Sequence, residues 1–178
     1  MHKDIERVLF EAQEIQAKVS ELGQAITADY QGKNPVLVSV LKGSFMFVAD
    51  LLRAIDMPCQ IEFMGLSSYG NKSETTGAVR LTQDLSTDIE GRHVIVAEDI
   101  LDSGLTLSYL LRYLGGRRPA SLEVCTLLDK PERRRVDVRV RYTGFQIPDA
   151  FVVGYGLDFA EKYRNLPYVG ILKPEIYK

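Results

Sequence analysis

The chain has 178 residues, enough for one domain (residues 1–178) with an adequate core. With 46% apolar and 26% charged residues it is neither disordered nor fibrous in composition. A net charge of −2 gives no general attraction to nucleic acid, and no apolar run approaches the about 20 residues needed to span a bilayer.

The N-terminal MHKDIERVLF scatters charges around a short apolar piece, Val8–Phe10, and lacks a signal-peptide core. From Glu11 to Tyr30, Ile15, Val19, Leu22 and Ile26 mark one face of a helix. Pro35–Leu41 (PVLVSVL) is continuously apolar and partly β-branched, which predicts a buried strand. Phe45–Ile55 reads as a helix and Cys59–Leu66 as the next strand. The polar run Ser67–Gly77 (SSYGNKSETTG) is a predicted loop, and Val79–Leu85 alternates as a hairpin partner would. A strand starting at Arg92 ends at Glu98 and Asp99, and a helix over Leu105–Leu114 stops at Gly115-Gly116. Ser121–Leu128, Ala150–Gly156 and Tyr168–Leu172 read as later strands. Strands alternating with helices predict a largely parallel α/β sheet with right-handed crossovers.

Cys59 and Cys125 are far apart in apolar segments, so they read as unpaired thiols of a cytoplasmic protein. No Cys/His spacing fits zinc. With only His2 and His93, a Ser-His-Asp or Cys-His mechanism has little to work with. His93 is assigned no chemistry, and the basic cluster Arg133-Arg134-Arg135 reads as a solvated face.

Ligands of open α/β sheets bind beyond the carboxyl ends of the strands. There stand Lys42-Gly43, Glu98 through Thr106, Lys130 and Asp158. The stretch VIVAEDILDSGLTL (Val94–Leu107) places Glu98, Asp99 and Asp102 within five residues. Three carboxylates at the end of a buried strand are costly unless an outside group pairs with them. Asp102-Ser103-Gly104-Leu105-Thr106 leads from strand to helix, where free N–H groups and the helix dipole suit a phosphate. A plain helix start capped by Asp102 or Ser103 accounts for the same five residues. It does not account for Glu98 and Asp99, whose oxygens suit ribose hydroxyls or a hard divalent ion such as Mg²⁺. The chain has neither GxxxxGK[ST] nor GxGxxG.

Four apolar residues followed by E-D-x-x-D-[ST]-G-x-T resemble the signature of the phosphoribosyltransferases that bind 5-phosphoribosyl 1-diphosphate. LVSVLKGSFMFVADL (Leu37–Leu51), SSYGNKSETTG, LLDKPERR (Leu127–Arg134) and GFQIPDAFVVGYGLDFAEKYRNLPYVGIL (Gly144–Leu172) resemble the hypoxanthine-guanine branch in that family's order. The resemblance runs from about residue 36 onward. It implies a type I phosphoribosyltransferase fold: a largely parallel central sheet flanked by helices, a small hood from the terminal segments, and a flexible active-site loop. It also implies purine salvage, with a 6-oxopurine receiving phosphoribosyl from the diphosphate sugar and pyrophosphate released.

Carried over residue by residue, the resemblance implies that Asp102, Ser103, Gly104, Leu105 and Thr106 bind the 5′-phosphate, Asp102 also being the general base or acid near purine N7. Glu98 and Asp99 would sit at the ribose hydroxyls and Mg²⁺, with Asp158 at a second metal and near the purine. Lys42 and Gly43 would hold pyrophosphate, in a peptide that is often cis in the family, with Arg164 nearby. Lys130 would donate to the 6-oxo oxygen. Phe151 and Ile100 would sandwich the base, and Val152 would read its edge through the main chain. Ser68 and Tyr69 would lie in the loop that closes over the reaction. Two rivals differ in class or substrate. A ligand-sensing regulator would be expected to have lost Asp102 or Lys130 or to carry a DNA-binding domain. A pyrimidine enzyme would not share the DKPERR and FVVGYGLD segments. The partners implied are small molecules and further copies of the chain, as a homodimer or homotetramer, with no nucleic acid and no membrane.

Overall fold

The structure is a computed structural model that describes residues 1–68 and 79–178. After a short 3-10 turn come β1 (Ile5–Phe10), α1 (Ala12–Tyr30), β2 (Val36–Leu41), α2 (Phe45–Ala54), β3 (Gln60–Ser68) and β4 (Val79–Gln83). They are followed by β5 (His93–Leu101), α3 (Leu105–Gly115), β6 (Ser121–Asp129), β7 (Tyr142–Gln146), β8 (Val152–Val153), β9 (Val169–Leu172) and α4 (Pro174–Tyr177). Six strands form one sheet in the order β4-β3-β2-β5-β6-β7. All its pairings are parallel except β3 with β4, the antiparallel partner expected of Val79–Leu85. A separate antiparallel sheet, β1-β9-β8, joins the two terminal segments. This is the α/β architecture expected, with β1, β8 and β9 as the hood.

The parallel sheet is buried on both faces, and alternation along its strands decides which helix each residue meets. Val36, Val38 and Val40 of β2 join Leu107, Leu110 and Leu114 of α3 on one side. Leu37 joins Ile15, Val19, Phe47 and Leu51 of α1 and α2 on the other. The helical face of α1 holds as expected, with Ile15, Val19, Leu22 and Ile26 all buried. Its first turn is closed by a capping box between Glu11 and Glu14. Cys59 and Cys125 are unpaired, and Cys125 is fully buried.

Four expectations about elements are corrected. Val8–Phe10 is the end of a six-residue strand, whose charged residues Glu6 and Arg7 face solvent on the hood. β7 falls in YTGFQ, where no strand is predicted, because a short edge strand with Gly and polar residues lacks a clear period. Of Ala150–Gly156 only Val152-Val153 is strand, since Gly154, Tyr155 and Gly156 take φ of 99°, 50° and 101° and turn the chain left-handed. Ser67 and Ser68 belong to β3 rather than to a loop; Tyr69 and the rest of the predicted loop lie outside the described residues.

Candidate active site

The turn after β2 is fixed from beneath. Ser44 Oγ donates to the Val40 carbonyl at 2.6 Å and lies 2.8 Å from Ser39 Oγ, all three residues being buried. The cis peptide of this turn joins Leu41 to Lys42, one bond before the Lys42–Gly43 peptide. The Lys42 ammonium lies 3.2 Å from Glu161.

At the end of β5 the chain enters α3 through a glycine. Gly104 is the N-cap at φ 82°, a conformation strained for other residues, and a Cβ there would stand 2.8 Å from the Val136 carbonyl. Gly104 has no side chain with which to cap the helix. The reading of Asp102 or Ser103 as a plain N-cap is therefore overturned; Ser103 Oγ only accepts a long 3.4 Å bond from the Leu105 N–H. The Ser103 carbonyl instead accepts the Arg135 and Val136 N–H groups, which dock the segment after β6 against the cradle.

A cavity of about 620 Å³ opens where β2, β5 and α3 meet. Lys42, Gly43, Glu98, Asp99, Asp102, Ser103, Gly104, Thr106, Asp158 and Arg164 all line it, so residues remote in the chain meet at one cavity. Leu105 does not line it. Ser67 does; the side chain of Ser68 and all of Tyr69 lie outside the description. Burial, and then the neighbouring Asp99, push the Glu98 carboxyl well above its ordinary range. Burial also raises Asp99 to about 6, against the N–H of Ile100, its own N–H and Arg164, which favour the anion. These acids lack a full set of cationic partners. Arg164 pairs with Asp158 at 3.0 Å and donates to the Gly156 carbonyl at 2.7 Å, while its Nε is buried without a partner among the described residues.

A second cavity of about 420 Å³ adjoins the first. Ile100, Asp102 and Leu157 line both, so Asp102 stands on the seam between them. Lys130, Phe151 and Val152 line the second cavity, together with Arg133, Asp149 and Tyr177, which sequence reasoning missed. Asp158, expected near the purine as well as at a metal, lines only the first. Lys130 is 7% exposed, and burial lowers its pKa despite Asp102 and Asp149. Its ammonium reaches Asp149 at 3.9 Å.

The basic cluster is not simply a solvated face. Arg133 Nε approaches Asp102 Oδ1 at 3.3 Å, and Arg134 Nε donates to the Asp102 carbonyl at 3.1 Å while its guanidinium pairs with Asp129. A run of arginines by itself carries no sign of this, because the partners come from other elements.

The loop of Gly154–Asp158 packs directly on the turn after β2. A Cβ on Gly156 would fall 2.2 Å from the Gly43 carbonyl, at a φ of 101° that already disfavours any side chain. Gly156→Ala is expected to cost about 1–3 kcal/mol of stability and to raise the KM for a sugar-diphosphate ligand by pushing the two walls apart. Denaturant midpoints beside KM values test this; wild-type values for both would show that the loops have slack.

A phosphoribosyl transferase domain profile matches residues 8–160. The chain is 51% identical to the hypoxanthine-guanine phosphoribosyltransferase of Bacillus subtilis (strain 168), over 100% of this chain and 99% of that protein. It is also 51% identical to the enzyme of that name from Mycobacterium avium, over 98% of this chain and 89% of that one. A crystal structure of a hypoxanthine phosphoribosyltransferase from Staphylococcus aureus superposes with a TM-score of 0.97 at 50% identity, covering 100% of this chain and 97% of the other. With the type I sheet order and identity of this level over its whole length, the chain belongs to the hypoxanthine-guanine phosphoribosyltransferases.

Proposed function

We infer that this chain transfers the 5-phosphoribosyl group from 5-phosphoribosyl 1-diphosphate to hypoxanthine or guanine in purine salvage, releasing pyrophosphate. The observation that carries the assignment of roles is the position of Asp102 between two cavities, an oxygen- and cation-lined one with a helix start and an aromatic one with a buried lysine. The first suits the diphosphate sugar and the second the base.

In this reading the Ser103–Thr106 backbone and hydroxyls hold the 5′-phosphate at the start of α3. Breaking the bond between C1′ and the diphosphate leaves negative charge on the leaving group, which Lys42 and Arg164 stabilise. Lys42 and Arg164 are held meanwhile by Glu161 and Asp158. Glu98 and Asp99 accept from the ribose hydroxyls. Phe151 stacks on the base, Ile100 covers its other side, Val152 reads its edge through the main chain, and Lys130 donates to the 6-oxo oxygen. Asp102 exchanges the proton at N7. The Ser68-Tyr69 segment is assigned the exclusion of water, which would otherwise hydrolyse the activated sugar.

Among the described residues no three His, Cys, Asp or Glu side chains converge to cage an ion. Mg²⁺ is a hard cation that commonly binds through one or two carboxylates and completes its shell with water and substrate oxygens. Burial raises the pKa of Glu98 and Asp99, and a nearby cation would favour their anions. Asp99 and Asp158 are the protein oxygens proposed to hold it, with Glu98 beside them; when bound, it would neutralise diphosphate charge. Exposed Phe45 and Phe63 offer apolar surface for a homodimer or homotetramer. No helix of the described residues is long and apolar enough to cross a membrane, and the free thiols support a cytoplasmic setting.

The deciding experiment is a spectrophotometric assay of hypoxanthine, guanine, xanthine and adenine with the diphosphate sugar, with and without chelator. Hypoxanthine or guanine should be converted and adenine should not, because a lysine can only donate and so suits a 6-oxo oxygen rather than a 6-amino group. Activity should vanish on chelation and return with Mg²⁺. Comparable turnover of adenine would reject the role of Lys130, and full activity in excess chelator would reject the metal.

A further inference from the structure

We propose that Tyr177 is a positioning residue of the purine subsite, holding Phe151 at the orientation in which it receives the base. The two rings stack with centroids 4.7 Å apart and an interplanar angle of 22°. Both line the cavity that contains Lys130. Phe159 meets Phe151 in a T-shaped contact, at 5.6 Å and 89°, without lining that cavity.

The hood explains how a residue so far along the chain reaches this position. The Leu172 N–H donates to the Phe151 carbonyl at 2.8 Å, which ties β9 to the residue that must stack. The Lys173 N–H then donates to the Asp4 carbonyl at 2.9 Å, fixing the start of α4 on the N-terminal segment. Pro174 opens α4, and Ile176 and Tyr177 fold back onto the cluster of Val153, Leu166 and Leu172. Tyr177 is thus placed by the sheet on which Phe151 sits.

A phenylalanine with one free side would sample several ring orientations, and ordering it would weaken base binding. A stacked neighbour removes that freedom beforehand, and the base then adds a further aromatic layer. The inference rests on reading this cavity as the purine subsite.

The test uses the full chain with Tyr177→Ala, Tyr177→Leu and Tyr177→Phe, and Phe151→Ala as the control on the subsite. Measured are KM for hypoxanthine, KM for the diphosphate sugar, kcat and the thermal midpoint. Tyr177→Ala and Tyr177→Leu should raise the hypoxanthine KM about 3–10-fold and leave the sugar KM near wild type. Leucine keeps apolar volume without a flat face, so this effect should persist with a normal melt. Tyr177→Phe should restore the wild-type KM. If Phe151→Ala raises the purine KM while the Ala and Leu variants of Tyr177 do not, this inference fails and the subsite stands. A lower purine KM in those variants would mean that Tyr177 takes the place of the base, which also overturns it. So would equal rises for both substrates, or a Phe variant as impaired as Ala. A silent Phe151→Ala would overturn the subsite assignment itself, and this inference with it.

Discussion

Asp102→Asn should lower kcat by roughly 10²–10⁴ while the protein folds and binds the diphosphate sugar nearly as before. The Asp102 carboxylate contributes little to the stability of its surroundings. Gly104 is the N-cap of α3 and the one side-chain bond described at its start comes from Ser103, so that start does not depend on the Asp102 carboxylate. The Asp102 carbonyl that Arg134 uses is unchanged by the substitution. Among the described residues the carboxylate pairs only with Arg133, at 3.3 Å between side chains 53% and 44% exposed, and such pairs contribute at most about 1 kcal/mol. Asparagine keeps the shape and removes the charge and the proton acceptor. The measurements are kcat, a thermal melt, and a titration with the diphosphate sugar. A near-normal kcat would remove Asp102 from the chemistry.

Lys130→Met should raise the KM for hypoxanthine about 10–150-fold, the equivalent of losing one charge-assisted hydrogen bond of about 1.5–3 kcal/mol. The KM for the diphosphate sugar should change by less than about threefold, because Lys130 lines the second cavity alone. Stability should hold or rise slightly. Burial disfavours the charged form of Lys130, so the folded state bears a cost at neutral pH that Met does not. The pH dependence has a definite sign. Lys130 donates as a cation, and its folded pKa lies below the ordinary lysine value. Its contribution to purine binding is therefore present at low pH and lost as pH rises, starting earlier than for an exposed lysine. That loss should be absent from the Met variant, whose profile keeps the titrations of the purine and of the site's carboxyl groups. Equal effects on both substrates would place Lys130 elsewhere in the site.

The parts of the fold that could be read along the chain are those with a strong period or a contiguous motif. Ile15, Val19, Leu22 and Ile26 announce α1 because a buried helical stripe repeats every three or four residues. Val36–Leu41 announces a central strand because a strand covered on both faces is apolar throughout. β7 has neither property: it is a short edge strand, and its hydrogen-bonding partner β6 supplies the order that its own residues do not. In Ala150–Gly156 β-branched residues suggested a longer strand, but three successive positive φ values bend it toward Gly43.

The candidate site divides along the same line. The sequence by itself determined the α/β class and the strand-to-helix turn from Glu98 to Thr106, since its acids, its glycine and the helix start follow one another directly in the chain. Tertiary structure alone decided what those residues face. It brought Lys42, Asp158 and Arg164 to one cavity and Lys130, Phe151 and Tyr177 to the next, and it laid Arg133 against Asp102. It also set the burial that raises Asp99 and lowers Lys130. Periodicity reports only how each element meets its own surroundings; a charge's partners and its desolvation come from elements remote in sequence, and these exist only once the sheet and the hood have closed on each other.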